Sequence, residues 1–318
     1  MAVFLSEADV KQVLTVDMAL EAVESAHRDL ALGQAIDTPR ARSRLPQTVL
    51  HILQGALPAQ GVLGYKAYTS NRSGNRFLVH LFDAASGRLR AVIESDYLGM
   101  IRTGAASGLA ARWLARPDAS VAGVFGSGWQ AEGHVRAICH ALPLERVKVF
   151  SRKADKVQDF CRRMSELTGV AVEPAANAEE TVRGSDLIGT VTTAAQPLFD
   201  AEWLEEGAHI NAAGSNALIR QELSEAAIRR CGLIAVDSVP TALAEAGDLL
   251  PLLEKGRLHS RQLVELGDVI VGRHTGRTDG KEITLFESQG MAIQDLALAL
   301  RVLVAAEKAG IGQPLPMQ

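Results

Sequence analysis

Apolar positions recur with a helical period in the first part of the 318-residue chain. Ser6, followed by Asp9, forms a capping-box pattern that predicts a short helix ending near Leu14. Asp17 is the predicted cap of a second helix over Met18–Leu32, in which the apolar residues share one face. The chain is therefore expected to begin with two helices.

Short apolar runs separated by turn residues follow, and they predict strands. These strands are Thr48–Leu53, Gly61–Thr69, Arg76–Phe82 and Leu89–Glu94. Because the turns between them are short, we expect neighbouring strands to pair antiparallel. A helix from Asp96 to about Ala115 is predicted to close this region.

Strands and helices alternate beyond Pro117, a pattern typical of a parallel sheet covered on both faces. The predicted strands are Ser120–Phe125, Arg146–Phe150, Val170–Glu173, Leu187–Thr192, His209–Ala213, Leu233–Asp237 and Glu282–Phe286. The helices predicted most clearly are Gln130–Ala141, Ala154–Leu167 and a last one over Gly290–Gly310. The sequence thus predicts the α/β class, with an antiparallel and a parallel sheet.

The turn after the first strand of the parallel region carries a GxGxxA motif. It reads Gly126-Ser127-Gly128-Trp129-Gln130-Ala131. Between a strand and a helix, the first glycine permits a tight turn, the second lets backbone approach a pyrophosphate, and the small last residue permits close packing. The helix N-terminus offers N–H groups to phosphates. We predict dinucleotide binding here, rather than an incidental glycine turn.

The end of the next strand indicates which dinucleotide is preferred. NAD enzymes carry an acid there that holds the ribose hydroxyls. This chain has Ser151-Arg152-Lys153 instead. A hydroxyl and two cations suit a 2′-phosphate, because arginine can stack on adenine and donate to phosphate oxygens. We predict NADPH as the preferred cofactor, with NADH as the alternative; a solvated basic turn is the competing interpretation.

Cations of the first half are the other candidate binding groups. They are Arg40, Arg42, Arg44, Lys66 and Arg102. The three alternating arginines share one face if their segment is extended. Arg102 lies among small and apolar helix residues, and a buried cation needs an anionic partner. That partner is a substrate carboxylate or cofactor phosphate in one interpretation, and Asp83 or Glu94 in another; a solvated face is the third interpretation.

Composition excludes several classes of protein. Lys and Arg total 33 and Asp and Glu total 37, so the formal net charge is −4 and no nucleic-acid partner is expected. The cysteines form no CxxC pair and the histidines no metal-binding array, so no metal site is expected. Met1–Val10 does not resemble a signal peptide, and no apolar run reaches the roughly 20 residues that span a bilayer. We predict a cytoplasmic protein without membrane contact.

Several stretches taken together resemble the ornithine cyclodeaminase/mu-crystallin family along nearly the whole chain. They are Ala41-Arg42-Ser43, Gly64-Tyr65-Lys66, Ile101-Arg102-Thr103-Gly104-Ala105, the turn Gly126–Ala131, His209-Ile210-Asn211-Ala212-Ala213-Gly214, Val236-Asp237-Ser238, Gly247-Asp248, and Phe286-Glu287-Ser288-Gln289-Gly290 with Asp295. Their order and spacing, rather than any single stretch, carry the resemblance.

The resemblance implies a domain organisation and an assembly. A Rossmann domain, 117–290, is inserted in an α+β domain, 1–116 plus 291–318, which binds the substrate and forms the interface of a homodimer. The residues that match the family's substrate-carboxylate contacts are Arg42, Lys66 and Arg102. Those assigned to the cofactor are Thr103, the turn Gly126–Ala131, Ser151, Arg152, Lys153, Thr192, Ala213, Gly214 and Ser288.

One departure from the family pattern indicates the reaction. Cyclodeaminases and related alanine dehydrogenases carry an aspartate where this chain has Asn216. An amide cannot take a proton from an ammonium group, whereas an imine substrate has no such proton to lose. Mu-crystallin, a ketimine reductase, also lacks this aspartate. Glu287 departs as well, since some relatives have lysine there, and no contact is assigned to it.

The predicted reaction is therefore NADPH-dependent reduction of a cyclic ketimine carboxylate, Δ1-pyrroline-2-carboxylate or Δ1-piperideine-2-carboxylate, to L-proline or L-pipecolate. Lys66 or an ordered water is the expected proton donor, with Asn216 orienting the water. Crowding by Arg42 and Arg102 should lower the pKa of Lys66. The alternatives are an ornithine or lysine cyclodeaminase, an alanine-type amino-acid dehydrogenase, or an NADPH-holding, crystallin-like protein without turnover.

Overall fold

The computed structural model describes residues 2–316. The strands in chain order are β1 (Val3–Leu5), β2 (Ile36–Arg44), β3 (Thr48–Leu57), β4 (Val62–Asn71), β5 (Gly74–Asp83), β6 (Leu89–Glu94), β7 (Val121–Phe125), β8 (Arg146–Phe150), β9 (Ala171–Pro174), β10 (Leu187–Thr190), β11 (His209–Ala212), β12 (Cys231–Val236), β13 (Leu263–Glu265), β14 (Ile283–Glu287) and β15 (Gln313–Pro314).

The helices begin close to the residues predicted for them, with one correction. They are α1 (Glu7–Val13), α2 (Val16–Ala31), α3 (Asp96–Leu114), α4 (Trp129–Ala141), α5 (Ala154–Thr168), α6 (Ala178–Val182), α7 (Glu225–Arg229), α8 (Val239–Glu245), α9 (Leu250–Glu254), α10 (Leu266–Ile270) and α11 (Ala292–Ala309). The prediction that Asp17 caps α2 was wrong. Thr15 is the cap, because its hydroxyl accepts the N–H of Met18.

The chain divides into two compact units, Met1–Arg102 with Gly290–Gln318, and Thr103–Gln289. The division falls inside α3, between Arg102, which is predicted to bind the substrate carboxylate, and Thr103, which is predicted to contact the cofactor. The boundaries proposed from the resemblance, after residue 116 and between 290 and 291, stay a prediction.

The first unit contains a seven-stranded sheet in the order β15-β1-β6-β5-β4-β3-β2. The expected antiparallel pairs are present from β3 to β6. Strand β2, which was not predicted, adds to β3 antiparallel, and β1 pairs parallel to β6, so the sheet is mixed. Three-residue β1 is too short to leave a period in the sequence. Helix α11 packs on α2 and across β3 and β4, so the last helix covers the sheet face on which Lys66 lies.

The second unit contains an eight-stranded parallel sheet in the order β13-β12-β14-β11-β10-β7-β8-β9. Every pair in it is parallel, as the strand–helix alternation predicted. Parallel strands bring their carboxyl ends to one edge, where ligands bind in this class of sheet. The candidate cofactor residues after β7, β8, β10 and β11 therefore meet at one edge. The α/β fold class predicted from the sequence is confirmed.

Close helix packing fixes α4, the helix that follows the Gly-rich turn. A Cβ on Gly104 of α3 would lie 2.1 Å from the carbonyl oxygen of Gly133 on α4, and one on Gly108 would lie 2.9 Å from that of Ala137. Ala131, in the first turn of α4, is fully buried. Small residues thus let α4 pack closely against its neighbours. Among residues 2–316, no helix is long and apolar enough to cross a membrane.

Candidate functional site

The Gly-rich turn has the geometry that its motif predicts. Gly126 follows β7 with φ of +120°, a backbone conformation that favours glycine, and a Cβ there would lie 2.6 Å from the carbonyl oxygen of Val191. Gly128 caps α4 without a side chain, and a Cβ on it would meet nothing within 4 Å. The turn therefore exposes the first N–H groups of α4, whose first residue is the partly exposed Trp129.

A cleft of about 880 Å³ opens in front of this turn. Its lining includes Ser127, Ser151, Arg152, Lys153 and Thr192, five of the residues predicted to contact the cofactor, together with Lys156. Gln130 leaves its buried side-chain oxygen without a hydrogen-bond partner. A cleft of this size, with helix N–H groups at one wall and cations at another, fits a dinucleotide phosphate.

A buried glutamate holds Thr192, which lines the cleft, through hydrogen bonds. Glu222 accepts hydrogen bonds from the backbone N–H and the hydroxyl of Thr192, both at 2.6 Å, and from the N–H of Gly214 at 2.8 Å. A Cβ on Gly214 would lie 2.5 Å from this carboxylate. The glycine thus leaves room for Glu222, which the sequence did not indicate.

The remaining predicted residues of the second unit occupy different environments. Ser288 is buried and donates its hydroxyl to Asp237 at 2.9 Å. Ala213 directly follows β11, with its N–H bonded to the carbonyl of Thr190. Thr103 is half-buried on α3, whereas Asn216 is exposed to solvent. The cofactor or catalytic roles predicted for them stay predictions.

The first unit brings Lys66 and Arg102 together around one carboxylate. Lys66 Nζ and Arg102 Nε both donate to Oδ1 of Asp295, at 3.1 and 3.0 Å. Each cation is only 5% exposed. Neither Asp83 nor Glu94, the acids considered from sequence, fills this role. The partner comes from α11 instead, and two cations share a single negative charge.

Neighbouring groups hold Arg102 in one orientation. Gln294 accepts a hydrogen bond from Nη1 of Arg102 at 3.3 Å, and its amide group contacts Nε2 of the buried His27 at 2.9 Å. Gly290 has φ of +78°, and a Cβ on it would lie 2.8 Å from Nη1. The guanidinium is therefore fixed by an acid, an amide and a glycine that leaves it room.

Arg42 lies on the same sheet face as Lys66. It is half-buried on β2, opposite His51, which stacks on Tyr68 at 4.2 Å between ring centroids. Burial, followed by the charges of Arg40, Arg42 and Arg44, lowers the pKa of His51 to about 4. The alternating arginines thus converge on one histidine.

The pKa of Lys66 is lowered to about 8, in the predicted direction. Burial is the main cause, and the charges of Arg102 and Arg40 add to it against the opposing effect of Asp295. The second arginine whose charge lowers the pKa of Lys66 is Arg40 and not, as predicted, Arg42. For Asp295, burial alone would raise the pKa, but Arg102 and Lys66 hold it below its ordinary value.

The described part of the chain contains no disulfide bond and no candidate metal site. Cys139, Cys161 and Cys231 are free. Within residues 2–316, no group of three His, Cys, Asp or Glu side chains could hold a metal ion.

Comparison with known proteins agrees with this geometry. The model of the ornithine cyclodeaminase/mu-crystallin family matches residues 1–309. A Δ1-pyrroline-2-carboxylate reductase of Bacillus cereus is 37% identical over 237 residues, 74% of this chain and 73% of that protein.

Two solved structures cover nearly the whole chain. That of Thermococcus litoralis Δ1-pyrroline-2-carboxylate reductase in complex with NADH and L-proline has a TM-score of 0.94 at 28% identity, over 98% of this chain and 100% of that one. An archaeal alanine dehydrogenase dimer with bound NAD also has a TM-score of 0.94, at 31% identity, over 100% and 99% of the two chains. These relatives confirm the prediction of an oxidoreductase that acts on C=N or CH–NH groups. The chain belongs to the ornithine cyclodeaminase/mu-crystallin family.

Proposed function

We propose that the protein reduces a cyclic ketimine carboxylate with NADPH, giving L-proline from Δ1-pyrroline-2-carboxylate or L-pipecolate from Δ1-piperideine-2-carboxylate. The observation that carries this proposal is the buried pair Lys66 and Arg102 around Asp295. Two cations and one carboxylate leave a net positive charge in a buried place, where an unpaired charge is costly. A substrate carboxylate would balance it.

The chain's own residues would bind and protonate the substrate. The terminal nitrogens of Arg102 suit a planar carboxylate, because a guanidinium can donate two parallel hydrogen bonds. Lys66, with its pKa near 8, holds a proton at neutral pH and can release it to the imine nitrogen. The reduced nicotinamide supplies the hydride. Asn216 in place of aspartate favours an imine over an ammonium substrate.

The preference for NADPH is supported by the charge at one end of the cleft. Arg152, Lys153 and Lys156 line it beside Ser151, and no acid follows β8 directly. A 2′-phosphate would gain charge-assisted hydrogen bonds there, while the ribose hydroxyls of NADH would lack an acidic partner. The related structures hold NADH and NAD, so cofactor preference is the point on which this chain is expected to differ.

We expect purified protein to oxidise NADPH with either ring imine, about 10–100-fold faster in kcat/KM than NADH, since one charged hydrogen bond to phosphate contributes about 1.5–3 kcal/mol. The measurement is NADPH absorbance with the two ring imines, pyruvate with methylamine, and pyruvate with ammonia, each repeated with NADH. Turnover of ornithine with NAD would favour a cyclodeaminase instead.

A matched pair of variants separates the phosphate contact from general charge effects. Arg152→Ser should remove most of the preference for NADPH and leave the rate with NADH nearly unchanged. Arg146→Ser alters an exposed arginine on β8 that lies outside the cleft lining and should change neither. Equal rates with the two cofactors in the unaltered protein would refute the NADPH assignment, and inert imines would refute the reaction.

An amino-acid dehydrogenase is the second candidate, because the archaeal alanine dehydrogenase is 31% identical over the full chain. The same panel decides between the two. Pyruvate with ammonia as the preferred substrate pair would identify an alanine-type enzyme, whereas the ring imines would identify a ketimine reductase.

We also propose a homodimer formed through the sheet face opposite Lys66. Leu50, Leu63 and the stacked Tyr65 and His80 lie on that face, with Leu50 37% and Leu63 39% exposed. An apolar sheet face of this kind gains most from a second copy of itself. Sedimentation equilibrium should give twice the 33.9 kDa chain mass, and Leu63→Lys should shift it to the single mass.

A further inference from the structure

Three buried acids lie at or just beyond the carboxyl ends of the strands of the parallel sheet, and the proposed reaction uses none of them as a contact. They are Glu222, Asp248 and Glu287, each 0% exposed. Glu287 is the last residue of β14, which pairs with both β11 and β12. Because β14 is the neighbour of β11 in the sheet, Glu287 lies close to the segment Gly214–Asn216, which comes shortly after β11 in the chain.

That segment is held from two sides by the cluster and its neighbours. The hydroxyl of Ser215 donates a hydrogen bond to Oε1 of Glu287. The carbonyl of Ser215 accepts the N–H of Gly247 at 2.8 Å, next to Asp248. Glu222 accepts the N–H of Gly214. The position of Asn216 is thus set by contacts to residues that themselves touch the acids.

The three acids differ in how many hydrogen-bond donors stabilise their charged form. Glu222 accepts from N–H groups at both oxygens. Oδ1 of Asp248 accepts the N–H groups of Glu222 and Leu223, at 2.7 and 3.0 Å. Glu287 accepts only from Ser215 and the side-chain amide of Gln289, both at Oε1. Backbone N–H donors stabilise the charged form of a carboxylate, so Glu287 is the least supported as an anion.

Within residues 2–316, two oxygens of the cluster have no hydrogen-bond partner, Oε2 of Glu287 and Oδ2 of Asp248. An orphaned buried acceptor costs about 1–3 kcal/mol. The two carboxyl groups are neighbours, since the side chain of Ser215 contacts both and the charge of Asp248 acts on Glu287. A single proton on one of them, donated to the other, would satisfy both oxygens. Dyads of neighbouring carboxyl groups in other proteins share a proton for the same reason.

The surrounding charges favour the same arrangement. Burial, with the charges of Asp248 and Glu222, raises the pKa of Glu287 well above its usual range. The other acid near this strand end, Asp237, instead accepts the hydroxyl of Ser288 and the N–H of Gln289. The charges that act most on Glu287 are therefore negative, and they oppose its ionisation.

We propose that Glu287 is a carboxylic acid in the folded protein at neutral pH, shares its proton with Asp248, and through Ser215 positions the segment that carries Asn216. Glu287 is thus a positioning residue for the proposed reaction, and this part rests on that proposed function. The shared proton itself does not, because it is a property of the folded chain without substrate.

Loss of this proton has a defined consequence for stability. Unfolded Glu287 would ionise near pH 4.3, whereas the folded protein keeps the proton to a higher pH. The folded state then binds one more proton than the unfolded state in this interval, so stability falls as pH rises through it. The ratio of folded to unfolded protein should fall by up to about tenfold per pH unit from this one group.

The test compares urea unfolding from pH 5 to 9 for the unaltered protein, Glu287→Gln, Asp248→Asn and the control Glu202→Gln, which alters an exposed acid. In Glu287→Gln, the fall of up to about tenfold per pH unit in the ratio of folded to unfolded protein should disappear. In Asp248→Asn it should weaken, because the amide removes a neighbouring charge and can donate to Oε2. Glu202→Gln should follow the unaltered protein. A pH-independent difference between the unaltered protein and Glu287→Gln would overturn the proposal.

Two further measurements remain informative if a variant folds poorly. The unaltered protein should show an infrared C=O band of a protonated carboxyl group at neutral pH, and absence of this band would overturn the shared proton. In kinetics, kcat/KM of the unaltered protein should fall at alkaline pH in two limbs, one from Lys66 and one that Glu287→Gln lacks, whereas a merely structural role of Glu287 would lower kcat/KM equally at every pH. If the ring imines are not reduced but the infrared band of the protonated carboxyl group is present, the proposed function is rejected and the shared proton is retained.

Discussion

Arg102→Met should lower kcat/KM for the ring imine about 10³-fold, mostly through KM. Truncating one partner of a buried, hydrogen-bonded charge pair costs about 2–5 kcal/mol, and about 4 kcal/mol corresponds to 10³-fold. Arg102 has its Nε on Asp295 and its Nη1 on Gln294, so the guanidinium is oriented before substrate arrives. Steady-state kinetics with NADPH measures the loss.

Arg102→Lys tests whether charge or shape matters more. A lysine keeps the positive charge but not the planar fork, so we expect about a 10²-fold loss rather than recovery. Arg301→Met is the control, since Arg301 pairs with Glu21 on the exposed side of α11. NADPH binding, followed by quenching of Trp129 fluorescence beside the cleft, should stay unchanged in all three variants. A KM unaltered by Arg102→Met would contradict the carboxylate role.

The effect of Arg102→Met on stability should be small or favourable. The unaltered protein buries two cations against one carboxylate, and removal of Arg102 leaves the balanced pair Lys66–Asp295. A site that holds a net charge for its ligand is a local cost to folding. Urea unfolding of Arg102→Met should therefore show that lost activity does not come from lost folding.

Local rules were sufficient where the chemistry is local. The turn Gly126–Ala131 could be interpreted from six neighbouring residues because strand, turn and helix N-terminus are contiguous in the chain. Ser151-Arg152-Lys153 could be placed because it directly follows the next strand. The structure puts both on one cleft, since parallel neighbouring strands end at the same edge.

Partners that are distant in the chain could not be predicted. Asp295 lies 193 positions from Arg102 and 229 from Lys66, and nothing in the sequence alone says that α11 packs on the sheet face of Lys66. Glu222 was missed for the same reason: its chemistry depends on which backbone N–H groups the fold brings to it. Three-residue β1 and β13 were missed because they are too short to show a period.

Lys66→Met should lower kcat about 10³-fold, within the 10²–10⁴-fold that a positioned proton donor contributes. It should also raise KM, because Lys66 balances charge beside Arg102. Lys66→Arg separates the two effects, since arginine keeps the charge and does not titrate near pH 8. The control is Lys308→Met, at an exposed position of α11.

The pH dependence gives the decisive comparison. With the pKa of Lys66 at about 8, the donor loses its proton as pH rises through 8, and kcat of the unaltered protein should fall there. Folded Lys66 also binds fewer protons than unfolded Lys66 between about pH 8 and its ordinary value of 10.5, so its contribution to stability rises with pH in that interval. Lys66→Met should lack both changes. If Lys66→Met combined with Glu287→Gln kept the alkaline fall in kcat, Lys66 would not be the donor, and an ordered water would take that role.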